Sequence, residues 1–171
     1  MKDIFEIKFA KSWLGIYCFL THFLVYRNIA FGKVATSSSI AFGGSPQKAV
    51  DGKWNKGYYT RDGVCAHTKV GEPSFISVDL EREYTISIIN VVGRDRYAGQ
   101  SQGWTIRIGN TGTDKDPICS ENVDAFGGNL IPVSCNSKIS GRHVRVESAN
   151  VMVLCEIQVF GGIADIISYI G

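Results

Sequence analysis

The strongest constraint on the fold is a series of short segments that are rich in Val, Ile and Thr and are bounded by Gly, Asn or Ser. FISVDL alternates apolar and polar residues, as a half-buried β-strand does. Four further segments share this character: YTISIINVV, WTIRIGN, RHVRVES and VMVLCEIQVF. Helical periodicity is scarce between them and turn residues are frequent. The pattern predicts an all-β fold, either a β-sandwich or a jelly roll.

The two ends of the chain differ from this β-rich region. An apolar run of about 15 residues, SWLGIYCFLTHFLVY, follows a lysine-bearing start. It is too short for a membrane-spanning helix, so we interpret residues 1–27 as a signal peptide and expect a secreted protein. His22 inside the run favours the alternative, a buried strand or helix of the domain itself. Residues 162–171 are predicted to form a short C-terminal tail.

Cysteine usage agrees with an oxidising compartment. Removal of the leader removes Cys18 and leaves four cysteines, an even number that is typical of a secreted disulfide-bonded domain. Four cysteines allow three pairings. Cys119 and Cys135 flank a loop that their bond would close, and Cys65 and Cys155 would then tie a central loop to the last strand. A zinc site is the weaker interpretation, because the cysteines do not form close ligand pairs.

Charge and motifs exclude several functional classes. The formal net charge of +2 is too small for a nucleic-acid-binding surface, and no glycine-rich phosphate loop is present. A glycosidase needs two carboxyl groups beside the bond it cleaves. The charged segment GRDRYAGQS offers only Asp95. We therefore expect a binding protein and not an enzyme.

Several segments together resemble the F-type lectins, the fucolectin group. They are, in chain order, NIAFGKVATSSS, KAVDGKWN, GVCAHT, FISVDLEREYTISIINVVGR, GWTIRIGN and LCEIQVFG. The resemblance covers about residues 28–161. It implies one discoidin-like β-sandwich domain that binds glycans, with fucosylated glycoconjugates as the expected partners.

The family motif is only partly present. It consists of a histidine, 26 residues, an arginine, an aspartate two positions further on, and a second arginine five positions after that. His67 and Arg94 stand at the first spacing. Arg96 occupies the aspartate position and Ser101 occupies the position of the second arginine. The resemblance therefore supports the fold more strongly than the sugar specificity.

The resemblance implies a carbohydrate site at His67, Arg94, Arg96 and Tyr97. The planar guanidinium of an arginine addresses two sugar oxygens at once, and an imidazole donates or accepts according to its tautomer. Tyr97 takes the place of one of two adjacent cysteines on which family members seat the sugar. Arg96 shares a face with Arg94 if the segment stays extended. The alternative is a solvated charge cluster beside a structural histidine.

The resemblance also implies a structural Ca²⁺ site between a loop and the last strand. Its side-chain ligands would be Asp51 and Glu156. Backbone carbonyls would complete the shell, and they would come from Lys48, Lys53, Val64 and Cys155. Calcium accepts six to eight oxygen ligands, so lysines can serve through their carbonyls. The alternative is that Asp51 only caps the Asp-Gly turn.

A second function is compatible with the same fold. Discoidin-like sandwiches also act as adhesion modules that bind protein or membrane surfaces through aromatic residues on loops. The loop aromatics of this chain are Phe42, Trp54, Tyr58 and Tyr59. A single weak sugar site gains avidity when several copies are joined, so a homo-oligomer is also expected.

Overall fold

The structure is a computed structural model that describes residues 27–54 and 65–163. These residues form eight β-strands and two 3₁₀ turns, and no α-helix occurs among them. The strands are β1 (Val34–Ser37), β2 (Ala66–His67), β3 (Ser74–Gly93), β4 (Trp104–Gly109), β5 (Ile118–Val123), β6 (Ile131–Val133), β7 (Ile139–Ser148) and β8 (Val153–Ile163). The 3₁₀ turns span Pro46–Ala49 and Ala98–Gln100. The all-β prediction is confirmed.

The strands form an antiparallel sandwich in which β3 contributes to both layers. The first half of β3 pairs with β1 and β7, and its second half pairs with β8 and β6. Strands β4 and β5 extend the first layer beyond β7, and β2 extends the second layer beyond β8. The short strand β2 is therefore held at the sheet edge by β8.

A bend lets β3 pass from one layer to the other. The segments FISVDL and YTISIINVV, which the sequence presents as two runs, belong to this one strand of 20 residues. The pairing with β7 is irregular between Asp79 and Tyr84. Within the bend, Glu81 has a left-handed backbone with φ of 70°, and its N–H donates to Asp79 Oδ1 over 2.8 Å. The aspartate thus stabilises a backbone conformation that non-glycine residues seldom adopt.

The core lies between the two layers and is built by strand alternation. In β4, Trp104, Ile106 and Ile108 are fully buried, while the residues between them are partly exposed. The other layer contributes Ile89, Val91, Leu154, Ile157 and Val159. Full burial of one such aliphatic side chain contributes about 1.5–3 kcal/mol. Period-2 alternation therefore supplies the main stabilising term of the sandwich.

Two disulfide bonds cross-link the described residues, and they have the pairing that the sequence suggested. Cys65 is bonded to Cys155 across 90 residues, which ties the start of β2 to β8. Cys119 in β5 is bonded to Cys135 across 16 residues, just after β6. In the chain-entropy model such bonds stabilise by about 3–5 kcal/mol each, and the longer loop gains more.

One predicted domain boundary differs from the structure, and several predictions concern residues that the structure does not describe. Strand β8 continues to Ile163, so it passes the domain boundary expected at residue 161. Several residues named in the sequence analysis lie outside the described residues: the leader as far as residue 26, Tyr58, Tyr59, Val64 and residues 164–171. In the part that is described, no helix has the length and apolar character needed to cross a membrane.

The close approach of β7 and β4 generates a stability prediction. A Cβ added to Gly141 would lie 2.6 Å from Gly109 N and 2.7 Å from Gly109 O, both backbone atoms. Gly141→Ala should therefore lower the free energy of unfolding by about 1–3 kcal/mol, the usual cost of overpacking. Urea denaturation measures this. Gly99→Ala, whose Cβ meets nothing within 4 Å, is the control; equal stability of the two variants would contradict the prediction.

Candidate functional site

Two of the predicted site residues stand on either side of strand β8. His67 lies in β2 and is paired with Val153 at the start of β8. Arg94 directly follows Gly93, the last residue of β3, which is paired with Leu154 on the other side. Because β8 lies between β2 and β3, the main chains that carry His67 and Arg94 are separated by two strand spacings, about 10 Å. The fold therefore brings His67 and Arg94 to the same end of the sandwich.

The backbone around His67 is fixed by the loop that precedes the first 3₁₀ turn. Ala41 N donates to His67 O over 2.8 Å, and His67 N donates to Gly44 O over 3.0 Å. A Cβ on Gly44 would lie 2.6 Å from His67 Cβ, so only glycine fits there. The imidazole thus projects from a strand that is hydrogen-bonded on both edges.

The imidazole of His67 is held in one tautomer. Nδ1 lies 2.8 Å from the Thr68 carbonyl oxygen, which only accepts, so Nδ1 carries the hydrogen. Burial lowers the pKa of His67, the hydrogen bond to Thr68 opposes this shift, and the charge of Arg94 lowers the pKa further. The ring is therefore neutral near pH 7, and Nε2 is an acceptor.

Arg94 is anchored by main-chain and side-chain contacts. Its N–H donates to Ser101 Oγ over 3.0 Å, and its carbonyl accepts from Gly127 N over 3.0 Å. Nη1 donates to Gln100 Oε1, and Cζ lies 4.8 Å from the centre of the Tyr97 ring. Because Arg94 is only 4% exposed, its guanidinium lies at the floor of the site.

Ser101, at the position of the family's second arginine, has a structural role. It is fully buried, and its hydroxyl donates to the Val153 carbonyl over 3.2 Å while accepting from Arg94 N. A Cβ on Gly93 would lie 2.5 Å from Ser101 Cβ, so the backbone is tightly packed there. This serine joins the loop after β3 to β8 and does not point a donor at a ligand.

One exposed aromatic ring accompanies each of the two functional groups. Phe42 contacts His67 edge to face with ring centres 5.0 Å apart, and it is 86% exposed. Tyr97 lies against Arg94 and is 68% exposed. Both residues have positive φ, 50° for Phe42 and 60° for Tyr97, which is uncommon for bulky side chains. Such strain persists where surrounding contacts enforce it, often at functional sites.

The condition for placing Arg96 by strand alternation, an extended segment after Arg94, is not met. Strand β3 ends at Gly93, and the chain then bends into the 3₁₀ turn Ala98–Gln100. Alternation of faces applies only to extended backbone, so it cannot relate Arg96 to Arg94. Arg96 is exposed, whereas Arg94 is buried.

The predicted metal site contains a buried carboxylate with one unused oxygen. Glu156 in β8 is fully buried; Oε2 accepts from Gly52 N over 3.1 Å, and Oε1 has no hydrogen-bond partner among the described residues. Burial raises the pKa of Glu156 to about 7, the Gly52 N–H opposes this, and the negative Asp51 adds to it. A cation between the two carboxylates would satisfy Oε1 and offset their repulsion.

Three of the remaining predicted metal ligands, Lys48, Lys53 and Cys155, are close in sequence to these two carboxylates. Lys48 belongs to the 3₁₀ turn Pro46–Ala49, and Cys155 precedes Glu156 in β8. Lys53 N donates to Asp51 Oδ1 over 3.0 Å, so Asp51 also caps its turn as the alternative interpretation expected. In the described part of the chain no three His, Cys, Asp or Glu side chains cluster, so a metal there would depend on carbonyl oxygens.

Three features of the site were not found from the sequence. Gln100 contacts Arg94, but nothing in the pattern of the segment distinguishes it from neighbouring polar residues. The buried role of Ser101 depends on the Val153 carbonyl, which is 52 residues away. The loop position of Phe42 marked it as a candidate binding residue, but the sequence did not predict that its ring contacts His67.

A groove of about 450 Å³ lies apart from these residues, on the outer face of the first layer. It includes Phe75, Arg145 and Glu147. The guanidinium of Arg145 stacks on the Phe75 ring at 3.6 Å and donates to Glu147 Oε1 over 2.6 Å. Neither His67 nor Arg94 lines this groove.

Comparison with known proteins identifies the fold and the family. A family model described as a NedA-like, galactose-binding domain matches residues 48–146. Fucolectin-3 of Anguilla japonica is 30% identical over 147 residues, which cover 79% of this chain and 79% of that protein. Together with the sandwich topology, these matches define a discoidin-like β-sandwich domain.

Solved structures agree with this assignment. An F-lectin (fucolectin) from the serum of Morone saxatilis, the striped bass, matches with a TM-score of 0.71 and 28% identity over 80% of this chain. The match covers 49% of that lectin's chain, so this protein spans about half of its length. A fucose binding module of Streptococcus pneumoniae has a TM-score of 0.65 at 23% identity, over 80% of this chain and 96% of the module, and it supports the fold alone. The chain belongs to the F-type lectin family.

The buried position of Ser101 predicts that the family's arginine cannot be restored there. Ser101→Arg should strongly destabilise the fold, because the new charge would replace a fully buried serine and two of its hydrogen bonds. Thermal denaturation followed by circular dichroism measures the effect. Ser137→Arg, at an exposed position, is the control. A stable Ser101→Arg protein would contradict the structural role of this serine.

The raised pKa of Glu156 predicts a specific pH dependence in calcium-free buffer. The folded-state pKa of about 7 lies above the ordinary value of 4.5, so the folded protein holds this proton more tightly. Stability should therefore be lost as pH rises from about 4.5 through about 7. Urea unfolding of wild type and Glu156→Gln at several pH values isolates the effect, since the contribution of His67 is common to both. Parallel pH profiles would contradict it.

Proposed function

We propose that this domain is a carbohydrate-binding lectin for fucose-type or related glycans. The single observation that carries the proposal is the position of His67 and Arg94 at one end of the sandwich, on the two sides of β8, with an exposed aromatic ring beside each. The fucolectins that the chain resembles support the class of ligand.

The arrangement matches the chemistry of a monosaccharide. A sugar presents hydroxyls that donate and accept, together with C–H groups on one face. His67 Nε2 accepts from one hydroxyl, because the ring is neutral and Nδ1 is occupied by Thr68. Arg94 donates from the floor of the site, and charge-assisted hydrogen bonds of this kind are stronger than neutral ones. Tyr97 offers an exposed ring to the C–H face.

The loss of the second arginine weakens this site relative to the family motif. A hydrogen bond from a charged donor contributes about 1.5–3 kcal/mol, which is about 10- to 100-fold in affinity. Ser101 cannot replace it, since its hydroxyl is engaged with Val153 and Arg94. Arg96 is exposed in the segment that follows β3, and we propose that it contacts a larger glycan at the rim of the site. We therefore propose weak binding of a single sugar and avidity through homo-oligomers.

We further propose a structural Ca²⁺ ion, held by Asp51 and Glu156 with carbonyls of Lys48, Lys53, Val64 and Cys155. The buried Glu156 Oε1 without a partner supports this proposal. The ion would supply positive charge that two adjacent carboxylates require, and it would brace the loop that leads to Cys65. Because His67 is two residues beyond Cys65, bracing this loop lowers the ordering cost of binding.

The remaining parts of the proposal concern the whole protein. We propose a signal peptide at residues 1–27, a lectin domain that begins at residue 28 and includes the whole of β8 as far as Ile163, and a short tail after it. The two disulfide bonds favour a secreted protein, since such bonds persist in oxidising compartments. We propose binding without catalysis, because Asp95 is the one acid of the segment that follows β3.

Docking on a membrane or protein surface is the second candidate function. Ile40, Phe42 and Val70 are exposed, and they lie on neighbouring loops because Lys69 N donates to Ser39 Oγ over 2.9 Å. Exposed apolar side chains at a loop end can insert into a surface. A glycan array separates the two functions: a blank array together with liposome binding would favour docking.

The first functional prediction concerns Arg94. Arg94→Ala should reduce affinity for L-fucose by about 10- to 100-fold, as expected when a charged hydrogen bond is lost. Isothermal titration calorimetry measures this, and circular dichroism checks the fold. Arg82→Ala, at an exposed position in the bend of β3, is the matched control. Unchanged affinity in a folded Arg94→Ala protein would refute the proposed site.

The second functional prediction concerns calcium. Removal of Ca²⁺ by EDTA should lower the melting temperature, because Asp51 and the buried Glu156 then repel each other without a cation between them. Addition of Ca²⁺ should restore it. Glu156→Gln should abolish the response, since one of the two carboxylates is lost. Identical wild-type melting curves with EDTA and with Ca²⁺ would exclude the proposed ion.

A further inference from the structure

Gln100 occupies the position immediately before the serine that replaces the second arginine. It ends the 3₁₀ turn Ala98–Gln100, where its N–H donates to the Tyr97 carbonyl over 2.9 Å. Its side chain is half-buried and contacts the guanidinium of Arg94. Gln100 therefore lies beside both Arg94 and Tyr97, the two groups that form one side of the site.

The chemistry of this contact fixes which way the amide points. An arginine has donors only, so the group that faces Arg94 Nη1 must be the amide oxygen, Oε1. The amide nitrogen, Nε2, then occupies the opposite branch with two N–H donors. Among the described residues Nε2 donates to no protein acceptor, and it is not one of their buried unsatisfied atoms. These donors are accessible from outside the protein.

We propose that Gln100 Nε2 is the second hydrogen-bond donor to the saccharide, in place of the missing arginine. This assignment rests on the proposed lectin function and adds a specificity-determining residue to it. The site then presents one buried guanidinium, one neutral imidazole and one neutral amide. The ligand that fits these groups is a neutral sugar in which one acceptor oxygen lies next to the sugar oxygen that Arg94 contacts.

The alternative role of Gln100 is to position Arg94 without touching the ligand. The two roles require different atoms of the same amide: positioning needs Oε1, whereas donation needs Nε2. Glutamate at this position keeps an acceptor for Arg94 and strengthens it by a charge, but it has no N–H. Alanine removes both functions.

The experiment is isothermal titration calorimetry with L-fucose on wild type, Gln100→Glu and Gln100→Ala. If Nε2 donates to the sugar, both variants should bind about 3- to 10-fold more weakly, the range for one net neutral hydrogen bond. Gln102→Ala, which removes a neighbouring exposed amide that donates to Asp124, is the control and should keep wild-type affinity. Melting curves check that each variant is folded.

Two results would overturn the proposal in distinguishable ways. Wild-type affinity in Gln100→Glu with weaker binding in Gln100→Ala would mean that Gln100 only positions Arg94, and the lectin function would stand. Wild-type protein that binds no L-fucose would overturn the proposed fucose site and the role of Gln100 with it.

Discussion

The geometry of the site depends on one strand lying between two others. Because β8 is hydrogen-bonded to β2 on one side and to β3 on the other, it sets the distance between His67 and Arg94. The Cys65–Cys155 bond holds β2 against β8, and the Ser101 hydroxyl holds the loop after β3 against the same strand. A two-residue strand such as β2 has few hydrogen bonds of its own, so these attachments position the imidazole.

The replacement of an arginine by Ser101 changes the electrostatics of the site as well as its donors. Two guanidiniums beside His67 would lower its pKa more than Arg94 alone does, because like charges disfavour the imidazolium form. In this chain burial is the main cause of the lowered pKa, and Arg94 adds to it. The neutral imidazole is thus maintained by desolvation, which a bound sugar would increase further. The proposed recognition of a sugar therefore depends less on charge than recognition by the full family motif would.

The sequence was sufficient for the fold class, because alternation in segments such as WTIRIGN reports burial directly. It also gave the spacing of His67 and Arg94, which the structure brings to one end of the sandwich. It did not give the single continuous β3, since its bend depends on the Asp79 side chain and on pairing with distant strands. The turn after Gly93, beyond which strand alternation no longer relates Arg96 to Arg94, depends on contacts with Val153 and Ala125 that are remote in sequence.

The passage of β3 through both layers has a consequence for how the domain opens. It is hydrogen-bonded to β1 and β7 in one layer and to β8 and β6 in the other. Because the two layers share this one continuous strand, neither layer can separate from the other independently. Local opening in proteins follows cooperative units. Amide protons in the two layers should then exchange through the same global event, and proteases should find few cleavable intermediates. Such all-or-none behaviour would suit the secreted protein proposed above, which no cellular chaperone would protect.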